Sequence, residues 1–196
     1  MADTNAVAKD QAGTGSPVLP NHATSPAPVP QSFIDLMRGC TSSAVHLEMR
    51  DAYTPADPDY LRWQGGDMFD PLERWPEWGE LVGGMAARGV VVRRARIVSE
   101  PVTDYIRYEH ALTARLNIDS GELVRWLPRR HASDLCLPGN DFWLFDDRVA
   151  LFNHFAGDGS SGDKELRAEP SVIKLCAAAF EAVWERAIPH EDYELK

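Results

Sequence analysis

Cysteine is scarce in this chain of 196 residues. The three cysteines, Cys40, Cys136 and Cys176, are far apart and form no CxxC pair, so neither a zinc ribbon nor a disulfide framework is expected. No hydrophobic run reaches the length of a membrane span, and the N-terminus lacks the basic region and apolar core of a signal peptide. The sequence therefore predicts a cytoplasmic protein with no membrane partner.

Basic residues are also fewer than acidic ones. The chain has 20 lysines and arginines against 30 aspartates and glutamates, and its formal net charge is −10. Such a balance argues against direct binding to nucleic acid or to anionic membranes. The sequence also lacks a Gly-x-Ser-x-Gly pattern, so the nucleophile elbow of a hydrolase is not expected.

The composition divides the chain into two parts. Residues 1–31 are rich in proline, serine and alanine and show no apolar periodicity. Such a segment buries too little apolar surface to offset its ordering entropy, which predicts a disordered tail. Residues 32–193 alternate between helix and strand patterns, as is typical of a single α/β domain.

A βαβ unit is the clearest prediction within this domain. Val90–Val98 has a strand pattern, Pro101–Asn117 has apolar residues at helical spacing, and 122–127 forms the next strand pattern. The stretch 51–76 is rich in proline and aromatic residues. A loop of that length is unusual unless it packs on the domain or has a functional role. We therefore expect this stretch to cover part of the domain.

The C-terminal half predicts a β-hairpin and a long helix. Two aromatic-rich runs within Asp141–Phe155 flank turn residues, which indicates the hairpin. The glycine-rich stretch 156–163 favours a flexible loop, and Pro170–Ala187 has a broad apolar helical face. The predicted fold is thus a mixed sheet with a βαβ unit, a hairpin and a long C-terminal helix.

Three aspartates on the hairpin, Asp141, Asp146 and Asp147, are candidates for a metal or acid–base site together with His154. The alternative is that Asp146 and Asp147 form the turn, while His154 lies at the far end of a strand. That geometry favours an architectural role. No catalytic residue, metal or cofactor is therefore assigned.

The order of these elements resembles one half of the phospholipase-D-like fold. That superfamily carries His-x-Lys and, after four further residues, Asp. With Asp146 as the aspartate, Gly139 and Asp141 replace the histidine and lysine; with Asp147, Asn140 and Phe142 replace them. Without the histidine there is no covalent intermediate, so a non-catalytic domain is expected. A phosphodiesterase-like or other small-molecule enzyme that uses the aspartates with arginines is the alternative.

The arginines on the two predicted parallel strands become neighbours in a βαβ unit. They can bind phosphate or a partner's carboxylates, or pair with the chain's own Glu100, Glu109 or Glu122. His46, His110 and His131 are isolated in sequence and receive no role. The candidate binding residues are Arg94, Arg96, Arg125, Arg129, Asp141, Trp143, Asp146 and Asp147.

Four sequence runs resemble an actinobacterial family known only as a domain of unknown function. They are Val92–Pro101, Tyr105–Arg107, Gly121–Glu122 together with Arg125–Arg130, and Leu137–Asp147. The resemblance extends over nearly all of 33–193 and implies a context, since members are commonly encoded beside helix-turn-helix regulators. The expected function is a non-catalytic regulatory or accessory domain that binds a protein partner, a helix-turn-helix transcriptional regulator.

Overall fold

A seven-stranded mixed sheet organises the chain, which a computed structural model describes for residues 31–54 and 56–196. The strands are β1 (Ser43–Glu48), β2 (Val91–Val98), β3 (Glu122–Pro128), β4 (Asp141–Phe145), β5 (Val149–Phe155), β6 (Ser161–Arg167) and β7 (Ile188–Pro189). Across the sheet their order is β6-β5-β4-β1-β2-β3-β7. β1, β2 and β3 are parallel, and the other neighbours are antiparallel. The tail predicted for residues 1–31 lies outside the described residues except for Gln31.

Six α-helices flank the sheet within these ranges. They are α1 (Gln31–Gly39), α2 (Pro58–Gln64), α3 (Pro71–Arg74), α4 (Pro76–Ala87), α5 (Asp104–Thr113) and α6 (Pro170–Arg186). Proline is the first residue of α2, α3, α4 and α6. An N–H at that position has no partner within the helix, so a proline there costs no helical hydrogen bond. The predicted α/β class is confirmed, with its mixed sheet, βαβ unit, hairpin and C-terminal helix.

The predicted βαβ unit consists of β2, α5 and β3, and the two strands are parallel neighbours. Its helix begins at Asp104, so the predicted start at Pro101 is wrong. The reason is a helix cap: Oγ1 of Thr103 accepts a hydrogen bond from the N–H of Ile106. A π-helical segment, Ala114–Ile118, continues α5 toward β3.

The predicted hairpin consists of β4 and β5. Its turn places Asp146 and Asp147 at φ values of 50° and 51°. This left-handed region suits tight hairpin turns, and aspartate tolerates it better than most residues. The turn role predicted for these two aspartates is therefore present in the fold.

The loop predicted for residues 156–163 is wrong in its last part, because β6 begins at Ser161. β6 pairs with β5, although its side chains are almost all exposed. Since both of its faces meet solvent, its sequence lacks the alternation that identifies a strand. Gly157 and Gly159 belong to this connection and Gly162 to β6 itself, so a strand follows instead of the helix of a dinucleotide-binding loop.

The central strands present two faces of different chemistry. Toward α6 they carry apolar side chains such as Leu47 and Ile97, which share one core with Phe180 of the helix. The opposite face has an apolar cluster around Trp143, to which α1 and α4 contribute. Beside that cluster, toward α5, charged side chains lie next to a further apolar group that includes Val98, Ile106 and Trp126.

The stretch 51–76 covers α5 through aromatic side chains, as predicted. The Tyr60 ring lies 5.0 Å from that of Tyr105, and the Trp63 ring lies 5.7 Å from that of Tyr108. These rings are buried or half-buried in a cluster of their own. No helix in residues 31–54 or 56–196 is apolar over a length that could cross a membrane.

Candidate functional site

The strongest concentration of charge lies inside the protein, on the sheet face that α5 covers. In the parallel pairing of β1 and β2, His46 is beside Arg94 and Glu48 is beside Arg96. Because residues two apart in a strand point to the same face, these four side chains share one surface. Each is buried, with only 6–7 % of its area exposed.

Glu48 lies between the two arginines and accepts a hydrogen bond from each. Arg94 donates from Nη1 and Arg96 from Nε, both at 2.5 Å. Arg94 also donates from Nε to Glu122 at 2.9 Å, and the amide of Asn117 donates to the second oxygen of Glu122 at 2.6 Å. The charged atoms of β1, β2 and β3 are thus joined by direct hydrogen bonds.

α5 completes this buried charge cluster, which comprises Glu48, Arg94, Arg96, Glu109 and Glu122. Arg96 donates to Oγ1 of Thr113 at 2.7 Å, and its Nη2 lies 3.8 Å from the Glu109 carboxylate. The guanidinium of Arg96 also lies 4.9 Å from the centre of the Trp126 ring. The hydrogen bond to Thr113 and the charge pairing with Glu109 therefore hold the helix to the sheet, whereas the cation–π contact with Trp126 joins β2 to β3.

The electrostatics of the cluster follow from its composition, since three carboxylates face two guanidiniums. Burial disfavours ionisation of Glu48, but Arg94 and Arg96 outweigh it and hold its pKa well below the usual range. For Glu109, burial outweighs the effect of the nearby arginines on the pKa. Burial raises its pKa to about 7, Arg96 opposes this only in part, and the negative charge of Glu48 adds to it.

Three side chains in or beside the cluster have buried polar atoms without a hydrogen-bond partner among the described residues. They are His46 at both ring nitrogens, Trp78 at Nε1 and Glu109 at Oε2. Nδ1 of His46 is 3.4 Å from Glu48, but not in hydrogen-bonding geometry. Burial lowers the pKa of His46 well below its ordinary value, so the ring is neutral at pH 7 and stacks on Trp143 at 4.3 Å.

Asp141, at the start of β4, is buried and belongs to a separate contact. Its carboxylate accepts hydrogen bonds from the N–H of Met49 at 2.9 Å and from the hydroxyl of Tyr53 at 2.5 Å. Burial raises the pKa of Asp141 to about 6, although the bond from Tyr53 opposes the rise. Through this carboxylate, the beginning of the 51–76 cover is fastened to the sheet.

Asp146 lies at the other end of β4 and binds backbone groups. Its carboxylate accepts hydrogen bonds from the N–H groups of Thr41, Ser42 and Ser43 at 2.7–3.1 Å. Burial alone works against its ionisation, but these bonds and one from the Cys40 thiol hold the pKa of Asp146 well below its usual range. The carboxylate therefore closes the connection between α1 and β1.

The three aspartates proposed as a site do not converge. Asp141 and Asp146 are engaged at opposite ends of β4, and Asp147 is exposed in the turn. His154 pairs instead with Glu165 on the neighbouring strand, at 3.2 Å. No group of three or more His, Cys, Asp or Glu side chains in the described ranges is arranged to hold a metal ion.

The other predicted binding residues divide between interior and surface. Arg94, Arg96 and Trp143 are buried, which removes them from any outer contact surface. Arg129 is 41 % exposed along its side chain and donates to the carbonyls of Met49 and Ile97. Arg125 donates to the carbonyl of Trp184 at 2.9 Å and lies 4.5 Å from the centre of its ring.

Sequence reasoning missed the carboxylate at the centre of the cluster, Glu48. Glu109 and Glu122 were considered as partners of the arginines, and both belong to the cluster. A signal for Glu48 was present, because His46 and Glu48 alternate along β1 as Arg94 and Arg96 alternate along β2. What the sequence does not show is that the two strands are neighbours.

Three leucines of the described chain, on three different elements, each expose about half of their area. Leu61 on α2 is 51 % exposed, Leu123 on β3 is 53 % exposed and Leu166 on β6 is 52 % exposed. Met68, four residues beyond the end of α2, is 68 % exposed. The aromatic rings of the cover point inward, whereas its Leu61 and Met68 side chains face outward.

Comparison with known proteins identifies a family to which this chain is similar. Residues 31–195 match the model of a family described as a domain of unknown function, DUF6879. No curated protein sequence matches the chain.

Two solved structures are similar to this chain. TrmBL2, an archaeal chromatin protein whose structure shows a novel mode of DNA binding, has 11 % sequence identity and a TM-score of 0.43. The match covers 80 % of this chain and 48 % of that chain, so this chain spans about half the length of the chromatin protein. NucT from Helicobacter pylori has 10 % identity and a TM-score of 0.44, with 81 % and 88 % of the two chains covered.

Proposed function

The chain belongs to the DUF6879 family, and we propose that it acts there as a non-catalytic, cytoplasmic accessory domain. Its partner in this proposal is a helix-turn-helix transcriptional regulator, and it reaches DNA only through that regulator. The sequence resemblance to an actinobacterial family encoded beside such regulators motivates the choice of partner. What the domain contributes is a contact surface rather than a reaction.

The inward orientation of the charged groups supports a role without catalysis. Glu48, Arg94 and Arg96 are buried and paired with one another, so they serve the fold. Asp141 and Asp146 are likewise bound to the chain's own groups. A catalytic carboxylate and an anion-binding arginine have to converge at an open pocket, and these residues do not.

The exposed apolar side chains on an acidic domain are the observation that carries the proposal. Leu61, Leu123 and Leu166 each expose about half of their area, while the chain's net charge is −10. A DNA-binding partner carries excess positive charge. Charge complementarity therefore favours association with such a partner, and apolar contacts supply affinity at short range.

Co-purification with the regulator encoded next to the gene tests the proposal. We expect a stable complex, quantified by isothermal titration calorimetry with both full chains, that weakens as salt concentration rises. Substituting each of the three exposed leucines by lysine locates the contact, because the three are matched in exposure. A clean failure to associate at micromolar concentration contradicts the proposal.

A gel-shift assay separates this function from direct DNA binding. The domain alone is expected to leave duplex DNA unshifted even at low salt, because its net charge opposes the phosphate backbone. Added to a regulator–DNA complex, it is expected to change the mobility of that complex. A shift produced by the domain alone at low salt contradicts the proposed route through the regulator.

A further inference from the structure

β3 has an open edge over its first three residues. On the side away from β2, β7 pairs only with Arg125 and Trp126, and no other strand of the described chain pairs there. β7 ends at Pro189, after which the chain turns into a 3₁₀ segment, His190–Asp192. The backbone of 122–124 is therefore left without a strand neighbour on this side, and an edge of this kind is a template for a further strand.

A shallow groove of about 200 Å³ lies along this same edge. Its apolar lining includes Ile118, Leu123, Trp184 and Pro189. Leu123 is 53 % exposed and Ile118 is 36 % exposed, so both present apolar surface to solvent. An open strand edge beside an apolar groove is the arrangement that binds extended peptides: the backbone pairs with the edge, and alternate side chains enter the groove.

The residues that line the groove include more acidic than basic side chains. Glu122 and Glu191 both line it, and the carboxylate of Glu191 is the exposed one. Arg125 also lines the groove, but its guanidinium is bonded to the carbonyl of Trp184 and lies over the Trp184 ring. A segment that combines lysine or arginine with aliphatic residues complements this lining.

The opposite edge of the sheet is built differently. β6 presents Asp163, Lys164, Glu165 and Arg167, and charged residues on an edge strand discourage further pairing. Leu166 on this strand is 52 % exposed and so matches Leu123 in residue type, exposure and position on an edge. It provides the control for an experiment on the β3 edge.

We infer that the β3 groove binds an extended cationic segment of the partner, which adds as an antiparallel strand in line with β7. Its backbone pairs with 122–124, an aliphatic side chain packs between Leu123 and Trp184, and a lysine or arginine pairs with Glu191. DNA-binding proteins carry such cationic segments. This inference rests on the proposed function and names the chemistry of the partner and its place of binding.

Titration of the full chain with a blocked peptide of alternating lysine and valine tests the groove directly. Binding is expected, and Leu123→Lys is expected to weaken it about tenfold, because the substitution removes an apolar wall and adds a like charge. Leu166→Lys is expected to leave it unchanged. Glutamate–valine and N-methylated lysine–valine peptides are expected not to bind, since they lack the charge and the backbone donors respectively.

Several outcomes overturn the inference. They are equal peptide binding by wild type and Leu123→Lys, equal loss in Leu166→Lys, and equal binding of the glutamate–valine peptide. A dimer of the full chain, seen by light scattering and abolished by Leu123→Lys, also overturns it, because the occupant is then a second copy. Circular dichroism and urea unfolding confirm that both variants fold.

The regulator measurement keeps the two proposals distinguishable. If the regulator binds wild type and Leu123→Lys equally, the groove inference fails while the accessory function stands. If the regulator does not bind wild type at all, the accessory function fails, and the peptide titration still decides whether the groove binds a cationic strand. Loss of regulator binding in Leu123→Lys but not in Leu166→Lys supports both.

Discussion

Leu47 and Glu48 are neighbours in β1 but belong to opposite faces of the sheet. Leu47 points toward α6 into an apolar core, whereas Glu48 points toward α5 into the buried charge cluster. Apolar packing is non-directional and tolerates exchange of similar side chains. Hydrogen-bonded charge pairs require a particular partner at a particular distance. The α6 face therefore supplies burial, while the α5 face also joins particular residues of β1, β2, β3 and α5.

The largest expected effect comes from Glu48→Ala. The substitution leaves the buried guanidiniums of Arg94 and Arg96 without their shared carboxylate, and removing one partner of a buried ion pair costs about 3–5 kcal/mol. Urea unfolding monitored by tryptophan fluorescence measures the loss. The effect is expected to be strongly non-additive with Arg96→Ala, because both substitutions break the same contact.

Leu47→Ala is the matched comparison on the apolar face. Its cost is of similar size, about 2–5 kcal/mol, but it is expected to add to that of Arg96→Ala, since Leu47 and Arg96 share no polar contact. The division into two chemically distinct faces is contradicted if Leu47→Ala is as non-additive with Arg96→Ala as Glu48→Ala is.

The sequence predicted the apolar face better than the charged one. Alternation along β1 and β2 and the helical spacing of α6 identified the apolar sides of these elements. This is possible because the periodicity of apolar residues can be read within a single segment of sequence. The charge cluster depends on pairing between β1 and β2, which are separated in sequence by the cover and α4. Arg94 and Arg96 were recognised as one group, but the position of Glu48 between them is a property of the register.

β6 and Asp146 show two further limits of sequence reasoning. β6 is held by backbone pairing to β5. Because both faces of this strand are exposed, its sequence shows no alternation of apolar and polar residues. Asp146 was correctly placed in a turn, but its bonds to Thr41, Ser42 and Ser43 join segments far apart in sequence. Residues whose partners are backbone groups of a distant segment carry no local signature.

The pH dependence of stability sharpens the comparison through Glu109→Gln. In the folded chain, burial raises the pKa of Glu109 from 4.5 to about 7. Between these values the folded state holds the proton that the unfolded state has released, so this contribution to stability falls as pH rises. Glutamine does not ionise. The variant is therefore expected to gain roughly 2–3 kcal/mol relative to wild type between pH 4.5 and pH 8.

Urea unfolding of both proteins across this pH range measures the difference. Neighbouring groups such as Arg96, Glu48 and His46 are present in both proteins, so their own pH dependence largely cancels. Glu181→Gln, on the surface of α6, is the control and is expected to show a profile parallel to that of wild type. A Glu109→Gln profile that is also parallel shows that Glu109 is not protonated in the fold at neutral pH.

A charge bound by backbone groups offers the next test, through Asp146→Asn. Asparagine tolerates the positive φ of 50° at this position, so the exchange removes the charge and keeps the turn. Hydrogen bonds to a charged group contribute more than neutral ones, and a loss of about 2 kcal/mol is expected. Asp147→Asn, at φ 51° in the same turn but exposed, is expected to change stability by less than about 0.5 kcal/mol.

Among the paired charges, the smallest expected effect belongs to an ion pair on the α6 face, between Arg93 and Glu181 at 2.6 Å. The side chain of Glu181 is 51 % exposed, so Glu181→Ala is expected to cost less than about 1 kcal/mol. Arg93→Ala is expected to cost more, because its guanidinium also lies 4.9 Å from the centre of the Phe180 ring and its stem covers apolar surface. Equal costs for the two substitutions indicate that Arg93 acts on this face only as an ion. A larger cost for Arg93→Ala shows that arginine serves the apolar face through packing and the charged face through pairing.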